Sequence, residues 1–315
     1  MEILRVDSAA LNGNRLGDPP VREVPVYVPP GEGRFPVIYC LSGYTGGGKS
    51  WLNWSAWGEN LIERWERLMA GGARPAILVM PDCFTRLGGS QYVNSPAIGN
   101  YEDHIVSELV PRIDADFPSS GVRGVMGKSS GGYGALVLGM RHPQIFSAVA
   151  SHAGDMYFEW SYRPELPRLA LALLRTGGVE KFLTATLAKH RKDVPNLSTL
   201  CACAAYLPEA SAPLGFRVPF DLETGELDAA AWQTFASHDP IEMVAQHKDA
   251  LRSLRLLFFD AGMRDEHYLQ LGARILARRL RALGIAFEHQ EFDDGHRDTA
   301  YRYDVSLPLL ANALA

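Results

Sequence analysis

No uninterrupted apolar stretch in this sequence approaches the roughly 18 residues that a membrane-spanning helix needs. The first residues, Met1-Glu2-Ile3-Leu4-Arg5-Val6-Asp7, lack a basic segment followed by an apolar one. No export signal is therefore expected, and the expected setting is cytoplasmic. A cationic excess is also missing. The 31 Lys and Arg stand against 36 Asp and Glu, a net charge of −5, which argues against a nucleic-acid-binding surface. Cysteine is scarce: Cys40, Cys83, Cys201 and Cys203 are the only four. With no Cys-x-x-Cys and no matching pair of histidines, neither a metal site nor a cofactor is expected. Cys201 and Cys203 read as free thiols in a packed segment. Internal repeats and low-complexity tracts are absent as well. What is present, 47% hydrophobic and 21% charged residues, is the composition of a folded globular chain and excludes a disordered one.

Two kinds of segment alternate. Short apolar runs without period-two alternation occur at 37–41, 76–80, 122–126, 148–150 and 254–259, as expected of strands buried on both faces of a mostly parallel sheet. Between them lie stretches of helical period. Leu61, Ile62, Trp65, Leu68 and Met69 share one face. Ile105, Val106, Leu109, Val110 and Ile113 share another. Leu271, Ile275, Leu276, Leu280 and Leu283 repeat the pattern, with Gly284 placed to end the helix. Strand-helix alternation of this kind predicts a three-layer α/β fold. Val21 to Val28 carries Pro25, which cannot donate to a ladder, so it is expected to be an antiparallel edge strand. About a hundred residues after 150 carry no strand signal. They hold helix-like pieces at 169–174 and 179–187 and then Pro208, Pro213 and Pro219. An interval that long needs its own structure. The expected organisation is a core of residues 1–155 and 251–315, with 156–250 inserted as a helical cap over the carboxyl end of the sheet.

Gly127-Lys128-Ser129-Ser130-Gly131 matches Gly-x-Ser-x-Gly. It follows the candidate strand at 122–126 and leads into Gly132-Tyr133-Gly134-Ala135-Leu136, a helix start. A strand-turn-helix with small flanking residues is what a nucleophile elbow requires. It would project the Ser129 hydroxyl above the sheet at a helix N-terminus, where backbone N–H groups face developing negative charge. The Ser130 N–H is a candidate for that role.

A serine hydroxyl needs a base within hydrogen-bond reach, and the chain order for this elbow is Ser, acid, His. The last candidate strand, 285–292, is followed by Asp293-Asp294-Gly295-His296, which makes His296 the expected base. For the acid, the strand at 254–259 runs into Asp260 and then Asp265. Asp265 is preferred, because a loop carboxylate can turn toward His296 while a strand-terminal one more often ties down the turn. Asp260 is the alternative. Asp155, after the strand at 148–150, is a weaker alternative or a pocket residue.

Ser42-Gly43-Tyr44-Thr45-Gly46-Gly47-Gly48 closes the strand at 37–41, where a second oxyanion donor belongs, and the Tyr44 N–H is the candidate. The same stretch, Gly43 to Ser50, satisfies Gly-x4-Gly-Lys-Ser, the phosphate-loop pattern. A phosphate loop must pass directly into a helix, and here Trp51-Leu52-Asn53-Trp54-Ser55-Ala56-Trp57-Gly58 follows, a poor first turn. Nucleotide binding is the lesser alternative. Trp51, Trp54, Trp57 and Tyr92 are candidates for an aromatic pocket wall, with packing under the inserted segment as the other reading.

These residues resemble the esterase D-type branch of the α/β-hydrolases, which includes S-formylglutathione hydrolases, feruloyl esterases, enterochelin esterase-like proteins and mycolyltransferases. The resemblance runs from Val26-Tyr27-Val28-Pro29 through Leu41-Ser42-Gly43, Gly127 to Ala135 and Asp260 to Asp265, and ends at Gly295-His296. It implies Ser129 as nucleophile, Asp265 as acid, His296 as base, and Tyr44 and Ser130 as backbone donors. It implies a serine carboxylesterase acting on a small or medium ester or thioester through an acyl-enzyme, with acyl transfer to another acceptor as the alternative. Gly88-Gly89-Ser90-Gln91-Tyr92 departs from the Gly- and Ala-rich loop of formylglutathione hydrolases, so that substrate is not carried over. Dimers are common among similar proteins, which leaves a second copy of the chain as the one macromolecular partner to consider, with no nucleic acid and no membrane.

Overall fold

The computed structural model describes residues 1–188 and 193–315. Eight strands form one sheet: β1 (Glu2–Asp7), β2 (Val21–Tyr27), β3 (Phe35–Leu41), β4 (Ile77–Val79), β5 (Ser119–Lys128), β6 (Ala148–His152), β7 (Leu256–Gly262) and β8 (Glu288–Phe292). Their spatial order is β1-β2-β4-β3-β5-β6-β7-β8. β1 and β2 run antiparallel to their neighbours, and every pair from β4 onward is parallel. The helices that carry the architecture are α1 (Leu61–Ala70), α2 (Val110–Asp116), α3 (Ser130–Arg141), α4 (Leu166–Thr176), α5 (Val179–Ala188), α6 (Val194–Tyr206), α7 (Ala229–Ala236), α8 (Leu269–Ala282) and α9 (Tyr303–Ala313).

Period-two alternation along the central strands divides their side chains between two layers. Ile38 and Cys40 join Leu78, Met126, Ala150 and Phe258 under α1 and α9, where Trp65, Leu307 and Leu310 complete the cluster. Val37, Tyr39 and Leu41 face the opposite way, onto α3, α8 and the helices between β6 and β7. Both faces are thus covered, which is why these strands read as continuous apolar runs. α1 starts where Asn60 accepts from the N–H groups of Ile62 and Glu63 and the Glu63 carboxylate returns to the Asn60 N–H. That is a capping box on an amphipathic face. α8 ends as expected, with Gly284 at φ +64°.

Several expectations are corrected. β2 is antiparallel but is not the edge, because β1 pairs along its outer side, with Ile3 opposite Pro25. The Pro25 carbonyl accepts from the Met80 N–H at 3.0 Å, so the proline still contributes a bond at the end of β4. The last strand is shorter than 285–292, and β5 is longer than 122–126. The helix containing Ile105 is a run over 101–116 with a π-turn at His104–Leu109.

Between β6 and β7 the described residues form helices joined by irregular chain, the longest stretch being 207–228, which carries two isolated bridges. They share a core with α3. Tyr206 of α6 packs on Tyr133 (5.8 Å between centroids), Phe158 (5.6 Å) and Phe235 of α7 (5.0 Å), and stacks on His238 at 4.7 Å. Burial lowers the pKa of His238 to about 4. In the unfolded chain the ring returns to its ordinary value of about 6.5, so protons favour unfolding. The stability present above that value is lost as pH falls toward 4. The expected loss at pH 5 is about 1–2 kcal/mol, allowing for partial solvent screening. The neighbouring Asp239 carboxyl, raised to about 6 by burial, acts in the opposite sense over the same window. The overall acid curve therefore masks both groups, and a difference isolates one. His238→Gln should gain stability relative to wild type in urea melts at pH 5 but not at pH 8. An equal difference at both pH values would refute this.

Candidate active site

The carboxyl ends of β5, β7 and β8 bring three side chains together. β5 runs directly into α3, and the turn between them forces Ser129 to φ +57° and ψ −124°. For a residue with a Cβ this region is strained, and the strain is held by close packing on both sides. A Cβ on Gly127 would lie 2.3 Å from the Gly131 carbonyl oxygen, and one on Gly131 would lie 2.2 Å from that of Leu41. Neither position can accept alanine without moving backbone.

The Ser129 Oγ stands 3.0 Å from Nε2 of His296, and Nδ1 of that ring stands 2.8 Å from Oδ2 of Asp265. A carboxylate only accepts, so Nδ1 carries the proton, and Nε2 is left to accept from the serine hydroxyl. Asp265 is buried. Its second oxygen accepts from the His267 N–H at 2.9 Å, an Asx turn that fixes the carboxylate. Glu266 accepts from the His296 backbone N–H at 2.7 Å, and that bond holds its own carboxyl below the usual range. Adjacent residues thus position the two halves of the histidine: Asp265 the ring and Glu266 the backbone.

A cleft of about 560 Å³ opens over these groups. Gly43 and Tyr44 line it beside Ser129. A Cβ on Gly43 would stand 3.6 Å from that of Ser129. The backbone N–H groups of Tyr44 and Ser130 have no acceptor among the described residues, and that of Ser130 begins α3. The Tyr44 side chain is anchored away from the reacting hydroxyl, donating to the Leu87 carbonyl at 2.7 Å.

Asp155 also reaches the cleft. Its Oδ2 accepts from Tyr162 at 2.7 Å and from Gln91 at 3.3 Å, and burial raises its pKa. It makes no bond to His296, which leaves it a pocket residue. Nor does Asp260 reach His296. Its two oxygens are taken by His152 and Arg302, each at 2.8 Å. Gln91, Tyr162 and Glu266 were not anticipated from the sequence. Their types are ordinary, and only tertiary contact distinguishes them.

The aromatic wall is not where the sequence suggested. Trp54 is 83% exposed and Trp57 is 99% exposed, and neither lines the cleft. Tyr92 is buried against Gly134 of α3, and its hydroxyl donates to the Ser42 carbonyl. It supports the Gly43–Tyr44 loop from behind rather than touching a ligand. The phosphate-loop match fails on local geometry. Gly48–Leu52 is a single 3-10 turn, the Ser50 hydroxyl accepts from the Gly47 N–H, and Lys49 pairs with Glu23. The next helix, α1, begins only at Leu61, too far along to present a row of N–H groups to this loop.

A family model described as "Putative esterase" matches residues 19–306. The chain belongs to that family. Several solved structures resemble this chain. A ferulic acid esterase superposes with a TM-score of 0.64 at 19% identity, covering 99% of this chain and 97% of that one. An S-formylglutathione hydrolase from Agrobacterium tumefaciens gives 0.60 at 17% identity, covering 99% and 95%. A fluorophosphonate-binding serine hydrolase of Staphylococcus aureus gives 0.60 at 14%, covering 100% and 98%. At such identities the likeness establishes the α/β-hydrolase fold. A mouse S-formylglutathione hydrolase is 27% identical over 150 residues, 41% of this chain and 50% of that protein. The chain thus spans about half the length of this curated relative. Among the described residues no helix is long and apolar enough to cross a membrane.

Proposed function

We propose that this esterase-family protein is a serine carboxylesterase that cleaves a small or medium ester, or a thioester, through an acyl-enzyme. The observation that carries the reading is the linear arrangement of the Ser129 hydroxyl, the His296 ring and the Asp265 carboxylate, at 3.0 and 2.8 Å, on a strained strand-to-helix turn. Ser129 Oγ attacks the ester carbonyl carbon as its proton passes to His296 Nε2. The carbonyl oxygen becomes an oxyanion, and the free N–H groups of Tyr44 and Ser130 receive it. One such donor is typically worth about 10²–10³ in rate. The tetrahedral species collapses, the bond to the alcohol breaks, and His296 returns the proton to the departing oxygen. A water then gives up a proton to His296 and attacks the acyl carbon, releasing the acid and restoring Ser129. Asp265 keeps the ring in the working tautomer and stabilises its protonated form without taking the proton.

On the same reading, the inserted segment 156–250 forms a cap over the cleft through α4, α6 and the chain just before α4, since Tyr162, Arg168, Val194 and Thr199 line it. A cytoplasmic setting agrees with four cysteines that are free and buried.

Labelling with a fluorophosphonate probe, followed by mapping of the modified peptide, tests the assignment directly. Covalent modification at Ser129 alone is expected. A folded protein that stays unlabelled, or that is labelled at another residue, would overturn it.

A further inference from the structure

A second Ser–His–Asp arrangement lies about one layer below the first. Oγ of Ser306 is 2.8 Å from Nε2 of His152, and Nδ1 of His152 is 2.8 Å from Oδ1 of Asp260. The other Asp260 oxygen accepts from Nε of Arg302 at 2.8 Å, and Arg302 reaches on to Gln290 of β8. Nothing suits this set for chemistry on a substrate. Ser306, His152 and Asp260 are 0%, 2% and 2% exposed. Ser306 sits inside α9 rather than on a strained turn. The His152 ring is enclosed by Phe258 at 5.7 Å and Tyr303 at 5.1 Å. A buried polar cluster with each of these partners satisfied is rigid, and its cost is justified by what it holds in place.

What it holds is the platform under Ser129. His152 ends β6 and Asp260 lies in β7, side by side in the parallel register. The His152 carbonyl accepts from the Ser129 N–H at 2.9 Å. The Asp260 carbonyl accepts from the Ala153 N–H at 2.7 Å. Ala153 is bent to φ +41°, and the chain past it delivers the Asp155 N–H to the Ser129 carbonyl at 3.4 Å. The Ser129 N–H is therefore held by the segment 152–155, which also adds a longer second donor to a Ser129 carbonyl already bonded by the Tyr133 N–H at 2.9 Å, and that segment is pinned from below through the His152 ring. Five residues beyond Asp260 the same strand end delivers Asp265. We propose that His152, clamped by Asp260, is a positioning residue that sets the height and orientation of the strained Ser129 turn relative to His296. The proposal rests on the reading of Ser129 as the nucleophile.

The two ring nitrogens allow a discriminating test. Asparagine places its amide near Nδ1 and can keep the Asp260 bond while losing Ser306. Glutamine places its amide near Nε2 and keeps Ser306 while losing Asp260. If the Asp260 bond carries the function, His152→Gln should lower kcat by about 10–100-fold, the scale of a sub-ångström to 1 Å misplacement. KM should stay within about twofold, because no substrate contact is lost. The rate constant for fluorophosphonate labelling should fall in step. His152→Asn should recover most of both. A merely structural role would lower the yield or the melting temperature of each variant and leave kcat per folded molecule intact. Where His152→Gln does not fold by circular dichroism, Arg302→Gln decides. It removes the other partner of the Asp260 carboxylate and should lower kcat about tenfold at constant KM. Unchanged kcat and labelling rate in the folded variant, or equal losses in His152→Gln and His152→Asn, would overturn the proposal. A wild-type protein not labelled at Ser129 would instead defeat the reading on which it rests.

Discussion

Replacing Ser129 with alanine is expected to lower turnover of a p-nitrophenyl ester by about 10⁴–10⁶-fold, and His296→Ala should do nearly the same. The hydroxyl and the imidazole act as one unit. Neither the attack nor the proton transfer to the leaving group survives the loss of either, and the double variant should be little worse than each single one. Residual rate would come from binding and from the Tyr44 and Ser130 N–H groups. Stability should change little, because among the described residues the serine hydroxyl has no partner other than the histidine. Steady-state kinetics of the three variants, with melting curves as a control, tests this. Near-full activity in Ser129→Ala would end the assignment, and additive losses in the double variant would mean that the two residues act separately.

The second large effect is expected at Asp265. Asparagine matches the carboxylate in shape, but one of its two polar ends must donate. The Oδ1 position already accepts from the His267 N–H at 2.9 Å, so the amide nitrogen would face Nδ1 of His296. The ring would then have to accept there and carry its proton on Nε2, pointing at the Ser129 hydroxyl. That tautomer cannot take the serine proton. A loss of about 10³–10⁴-fold in kcat is expected with the geometry otherwise intact. Measurement of kcat together with melting temperature separates this from unfolding. A loss below tenfold in a folded protein would mean that another group orients the ring.

Much of this architecture was legible in the order of residues, for physical reasons that can be named. The central strands are covered on both faces, so their apolar runs stand out without any partner being known. The elbow is legible because a strained turn needs small residues on either side, and Gly127 and Gly131 supply them. The outer strand β1 was not legible. Its exposed face carries Ile3, Arg5 and Asp7 and offers no apolar alternation to read, and its pairing with β2 depends on a partner nearly twenty residues away. α6 was equally silent. It is buried almost all round, with Leu197, Leu200, Cys201, Ala202, Cys203 and Ala204 all inside, and a helix without a polar face has no periodicity to read. The tryptophans misled for the converse reason. A large aromatic residue signals burial or contact on average, yet Trp54 and Trp57 stand on an open loop, where neither occurs.

The choice between Asp260 and Asp265 shows where sequence reasoning stops. Position after the strand favours the loop carboxylate, and that is the one found beside His296. What Asp260 does instead was invisible, because its partners come from two distant parts of the chain, His152 from one and Arg302 and Ser306 from the other, and none is unusual where it stands. Local sequence determined the sheet core, the turn that carries Ser129 and the loop that carries His296, since those depend on side-chain size and apolarity within a few residues. Only the tertiary structure decided which carboxylate meets the imidazole, which aromatics face the cleft and what braces the platform from below. Those are distances between remote residues, and they come into being only when the strands lie side by side.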